Sequence, residues 1–153
     1  MTELPPPPPN PYAVTTGNQL PLSPADERTF SILTHVISIF GGFISALVFY
    51  LLYKDRGPFV RAHTVTEWNF QLTLLIVSGV GVLLAFASFI TSFVSLASSS
   101  GNAPPPGLWL FFLGYFLILG IDIVRIILGI VAAVAASNGR FYRYGPAIRF
   151  VKE

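Results

Sequence analysis

Asp122 and Arg125 stand three residues apart in a stretch, about 108–136, that is otherwise apolar. On a helix that spacing puts both side chains on one face. A lone charge at the centre of a membrane span costs about 2.5–3.5 kcal/mol on insertion scales. Such a face is therefore expected to turn into the protein and away from lipid. Two roles fit the pair: lining a polar pathway or gripping a partner helix, or forming a local ion pair whose charges cancel.

His63, Glu67 and Gln71 recur at a spacing of four and share one helical face. Histidine titrates near neutral pH. The set reads either as a proton-responsive pair or as a solvated stripe with routine pairing at the membrane edge, and the stripe is the expectation. Asn69 and Gln71 enter the second apolar stretch early and are expected to hydrogen-bond to a neighbouring helix. His35 lies in the first apolar stretch. A ligand role for it would need a second partner, and His63 is the only other histidine. A buried His35 bonded to a serine or a carbonyl is the expectation.

Other chemistry is excluded by composition. The chain has no cysteine, hence no disulfide framework, thiolate catalysis or cysteine–metal site. Two histidines are too few for a common zinc motif. No Walker-type loop, zincin motif, serine elbow or carboxylate dyad is present. Gly79 and Gly81 resemble a dinucleotide fingerprint only superficially, because they lie within a membrane span. The expectation is a protein that is not an enzyme and has no cofactor, no metal, no nucleic-acid partner and no small-molecule substrate.

The elements that hold these residues are membrane helices. Hydrophobic residues make up 53% of the 153 and charged residues 10%, with a mean hydropathy of +0.68. Ordinary soluble domains carry about 25% charged residues, so lipid is the natural solvent of this chain. Residues 1–27 are polar and proline-rich, with Pro5 to Pro9 unbroken. They have no apolar period and read as disordered. The remainder, 28–153, reads as one membrane-embedded helical domain. Its apolar segments lie at about 29–53, 72–97 and 108–136, with an interfacial helix over about 59–71. Ser23-Pro24-Ala25-Asp26-Glu27 reads as a helix start.

Lys54, Arg56 and Arg61 fall in the first loop, and Arg140, Arg143, Arg149 and Lys152 in the tail. The positive-inside rule puts both in the cytoplasm and the turn at 98–107 outside. The amino terminus stays open. A straight first span puts it outside. A break at Gly41-Gly42 gives two halves of about 18 Å each and keeps it in the cytoplasm. Small residues recur at spacing four (Gly41/Ser45, Gly81/Ala85, Ser88/Ser92, Gly129/Ala133, Ala132/Ala136) and suit close helix packing or self-association. The basic, aromatic tail is expected to rest on anionic headgroups.

Several motifs together resemble a family. They are Asp26-Glu27-Arg28-Thr29 with His35; Lys54-Asp55 with Pro58-Phe59-Val60-Arg61 and His63; Glu67-Trp68-Asn69-Phe70-Gln71; and Asn138-Gly139 with Tyr142-Arg143-Tyr144, Pro146, Ile148 and Arg149. The chain is similar, over about 26–152, to a bacterial domain-of-unknown-function family related to the twenty-kilodalton subunit of the chloroplast inner-envelope import translocon. The resemblance implies a four-span architecture and a part in a protein-conducting channel. It favours a broken first segment, although that segment is too short for two full spans.

The residues and the resemblance together lead to an all-α integral membrane protein that works as a non-catalytic subunit or accessory factor of a membrane assembly. The alternative is an oligomeric channel or translocation component with a polar path near Asp122 and Arg125. The expected partners are the lipid bilayer and either further copies of the chain or a larger membrane complex.

Overall fold

The computed structural model describes residues 20–98, 105 and 107–152. The proline-rich head as far as residue 19 and most of the turn at 98–107 lie outside the described residues. Among the described residues there are three helices and no strand: α1 (Pro24–Tyr53), α2 (Pro58–Ser98) and α3 (Gly107–Ser137). All three are long and apolar enough to cross a membrane, and each packs on the other two.

The start of α1 is fixed locally. Ser23 Oγ accepts the Asp26 N–H at 3.1 Å, Pro24 fills the first turn, and Asp26 and Glu27 lie at the positive end of the helix dipole. The helix does not run straight. Gly42 has φ 56° and ψ −141°, a non-helical conformation open to glycine alone. Beyond it the chain doubles back. A straight 30-residue helix would hold its ends about 45 Å apart. Instead the Leu22 N–H donates to the Arg56 carbonyl at 2.8 Å, Arg56 Nε–H donates to the Leu20 carbonyl at 2.9 Å, and the Phe30 and Tyr53 rings stack at 4.4 Å. Of the two readings of the first segment, the structure has the broken one. The two halves, 24–41 and 43–53, measure about 27 and 17 Å, less than the roughly 30 Å hydrocarbon thickness.

α2 is a single helix of 41 residues. The expected interfacial helix is therefore not a separate element but the first turns of α2. At about 62 Å, α2 exceeds the bilayer core, and its leading part is buried by the rest of the protein. α2 and α3 form an antiparallel hairpin whose register is set by small residues. A Cβ on Gly107 would run into Ser92 and the Ser88 carbonyl, and one on Gly114 would lie 3.2 Å from the Ala85 Cβ. Further along, Ala132 joins Phe70, Leu74 and Tyr144 in the core. α3 also presses on α1: a Gly129 Cβ would come within 2.8 Å of Ile39. Gly81/Ala85, Gly129/Ala133 and Ala132/Ala136 thus lie where helices approach. Gly41/Ser45 instead lies at the break, where a Gly41 Cβ would collide with Ser45 of the same segment.

α3 ends in a Schellman turn. Gly139 takes φ 69°, its N–H reaches the Ala136 carbonyl, and the Arg140 N–H reaches that of Ala135 at 2.9 Å. A Cβ on Gly139 would lie 3.0 Å from Arg28 Nη2, so the tail is turned back toward the start of α1.

Replacing Gly42 with Ala is expected to destabilise the fold by about 1–3 kcal/mol. Gly79→Ala, whose Cβ would meet nothing within 4 Å, should leave it unchanged or slightly stabilised. Thermal unfolding of the purified protein in mild detergent compares the two, and equal midpoints would rule out the strained hinge.

Candidate functional site

The polar residues of α1, the first turns of α2 and the tail converge on one face of the bundle. Glu27 lies at the edge of this cluster. It is 2% exposed, and its Oε2 accepts the N–H groups of Phe59 at 2.8 Å and Val60 at 3.1 Å. An acid from α1 thus caps α2, whose own first residue is proline. Gly57 leaves the space for it, since a Cβ there would strike the Glu27 carboxyl.

Glu67, 1% exposed, is the centre. Gln71 Nε2 donates to its Oε1 at 2.8 Å. Tyr144 donates its hydroxyl to Oε2 at 2.5 Å, and His35 Nδ1 lies 2.7 Å from the same oxygen. With Glu67 ionised and both rings neutral, His35 carries its hydrogen on Nδ1 and its Nε2 accepts from His63 Nδ1 at 2.8 Å. The result is a chain His63–His35–Glu67 with Tyr144 closing on its end. His63 Nε2 and Ser38 Oγ are buried with no hydrogen-bond partner. Burial and the neighbouring Glu67 carboxyl push the Tyr144 phenol well above its ordinary range. Tyr144 is therefore a fixed donor. Burial also raises Tyr142.

The tail is tied to α2 at three further points. Asn69 Oδ1 accepts the N–H groups of Phe150 at 3.1 Å and Val151 at 2.9 Å, while its Nδ2 donates to the Val151 carbonyl at 2.7 Å. Thr73 Oγ1 accepts the Ile148 N–H at 2.9 Å. The Tyr144 ring stacks on Phe70 at 3.9 Å.

The structure therefore brings together five of the seven residues singled out from sequence: His35, His63, Glu67, Asn69 and Gln71. It corrects three expectations about them. The His63–Glu67–Gln71 stripe is not solvated, because the tail and α1 cover it. His35 bonds to Glu67 and His63, not to a serine or a carbonyl, because the fold-back at Gly42 carries α1 past α2. Asn69 holds the tail and not a neighbouring helix. The tail itself is docked on α2 instead of lying wholly on headgroups. Tyr144, Glu27 and Thr73 were not singled out. The Tyr142-Arg143-Tyr144 spacing, with two phenols amid basic residues, was the available signal for Tyr144.

Asp122 and Arg125 stand apart from this cluster. Arg125 Nη2 lies 3.0 Å from Asp122 Oδ1, and the Asp122 side chain is 46% exposed. The expectation that both face inward is corrected: at this spacing the pair neutralises itself, so only Arg125 turns toward the bundle. It lines a cavity of about 290 Å³ beside Gly41, Gly42, Gln71 and Ser78, with its Nε buried and without a partner. Among the described residues no group of three or more His, Cys, Asp or Glu is arranged to hold a metal. Both nitrogens of His35 are already engaged.

Tyr144→Phe keeps the stack on Phe70 but removes a bond to a charged acceptor, a loss of about 1.5–3 kcal/mol. Tyr144→Ala removes the ring as well and is expected to cost about 3–5 kcal/mol. Limited trypsin digestion at Arg140, Arg143 and Arg149 reads the release of the tail. The order wild type, Phe, Ala in rising cleavage is expected, and equal rates in all three would show that Tyr144 does not hold it.

No curated protein and no solved structure matches the chain. Residues 26–151 match the profile of the magnetosome magnetite crystal formation protein family, MamF/MmsF. This overturns the resemblance to the import-translocon family. Of the motifs that suggested it, Glu67, Asn69, Phe70 and Tyr144 hold the tail on α2. With 126 consecutive positions covered, from the first turn of α1 to the end of the docked tail, the chain belongs to the magnetosome magnetite crystal formation protein family.

Proposed function

We propose that the protein is a non-catalytic multi-pass membrane subunit that serves magnetite crystal formation by presenting a fixed polar face from within a membrane assembly. One observation carries this reading. The base of the head, the α1–α2 loop and the tail are locked together on one face through Glu27, Glu67 and Asn69. The later turns of α2 and most of α3 expose apolar side chains such as Leu83, Phe86, Phe93, Phe116 and Ile127, a surface suited to lipid or to partner helices. The membrane is that of a bacterium, the plasma membrane or that of the magnetosome named in the family's description. Lys54, Arg56, Arg61 and the basic tail gather on the locked face, so it is the cytoplasmic one.

After gentle solubilisation the protein is expected to migrate with other membrane proteins in an assembly larger than one chain. In a host lacking its own copy, wild type should restore crystal size and number, as seen by electron microscopy, and Glu67→Ala should not. A lone monomer, together with crystals that do not depend on the protein, would sink the reading.

A second reading, an oligomeric channel or transport component, is favoured by the cavity beside Gly42 that Arg125 and Gln71 line. Three helices cannot enclose a pore, so this reading requires several copies. Flux through protein-containing liposomes should then fall in Asp122→Asn and in Arg125→Gln. Unchanged flux in both would remove these residues from any pathway.

A further inference from the structure

The docked tail and α2 enclose a second cavity, of about 310 Å³, on the locked face. That volume is at the lower end for small-molecule sites, about 300–1,000 Å³. Arg143, Arg149 and Lys152 line it together with Thr66, Asn69 and Gly145, and among the described residues no acidic side chain does. The nearby Glu67 carboxyl is committed to Tyr144, His35 and Gln71. Among the described residues of the tail, 138–152, four are basic and none is acidic.

The walls are held before anything binds. Asn69 fixes the backbone at Phe150 and Val151, Thr73 fixes it at Ile148, and Tyr144 anchors the opposite end of the loop. Basic side chains on a clamped loop form a preorganised anion site. Along its rim Ile148, between the lining residues Ala147 and Arg149, is 54% exposed, and Phe150, between Arg149 and Val151, is 47% exposed. Exposed aromatic and aliphatic side chains beside arginine and lysine suit the boundary between headgroups and acyl chains.

We infer that this cavity is a binding site for a multiply charged phosphate group, supplied by the headgroup of an anionic membrane lipid. Arg149 and Lys152 alone bring two positive charges, more than a single zwitterionic headgroup can balance. A phosphomonoester lipid or one with two phosphates offers two negative charges to the guanidinium forks and the ammonium. The apolar rim favours a phosphate that arrives on a lipid over one that arrives free.

The full chain, purified in mild detergent, is titrated with short-chain phosphatidic acid, with cardiolipin, with short-chain phosphatidylcholine and with inorganic phosphate. Thermal midpoint and native mass spectrometry read the binding. Two variants accompany it. Arg149→Gln/Lys152→Gln removes charge at exposed positions. Gly145→Leu fills the cavity with charge intact, since a Cβ there would stand in open space. Saturable binding of the two anionic lipids is expected, with none for phosphatidylcholine and on the order of tenfold weakening in the double variant. Gly145→Leu should weaken it comparably. Inorganic phosphate binding as tightly as the lipids would keep the site and assign it to the free ion. No saturable binding of any phosphate, or two folded variants that bind like wild type, would overturn it.

Discussion

Everything on the polar face depends on one buried carboxyl. Glu67 is taken out of water, and a buried charge without hydrogen bonds is among the most costly features a fold can carry. Its three donors come from three places in the chain: Gln71 one turn along α2, His35 on α1, and Tyr144 in the tail. Satisfying the carboxyl therefore requires α1, α2 and the tail to be in position together. The requirement is cooperative, because the loss of one donor leaves the others around an under-satisfied acceptor. Glu27 repeats the logic on a smaller scale, satisfying the start of α2 from α1 and so fixing where the two helices meet.

The second constraint is the hinge at Gly42, without which the first could not be met. His35 reaches Glu67 because α1 turns back and leaves its first half against α2 and α3. Non-helical backbone at membrane depth is tolerated only where protein surrounds it or where it lines a cavity. Here the break borders the cavity lined by Arg125, Gln71 and Ser78. Gly129 lets α3 approach α1 closely enough to back the same turn of helix that carries His35. Small residues and one strained glycine thus supply the close approach, and the buried polar network gives it a single register.

For a protein of magnetite crystal formation this architecture has a consequence. His35, His63 and Glu67 are engaged with one another inside the fold, and Glu27 with the start of α2. The groups left facing outward around the docked tail are basic and aromatic. The described surface thus combines a basic, aromatic patch on the docked tail with an apolar flank on α2 and α3.

Much of this was legible in the sequence. Three apolar segments, the helix start at Ser23-Pro24 and the small-residue spacings of the α2–α3 hairpin follow from local rules: hydropathy, capping and side-chain size act over a few residues. Gly41-Gly42 marked the hinge, but both a straight and a broken segment satisfied those rules, since the energy that selects between them comes from contacts made elsewhere. The spacing of His63, Glu67 and Gln71 put them on one face without showing what covers it. Whether that face meets water or protein depends on Tyr144, 77 residues beyond Glu67, and on His35, 32 residues before it. Such pairings carry no sequence period. The sequence alone therefore determined the helices, their solvent and their polar stripes. Only the tertiary structure decided that the stripes are buried against one another, because burial is a property of the partners a face finds and not of the face itself.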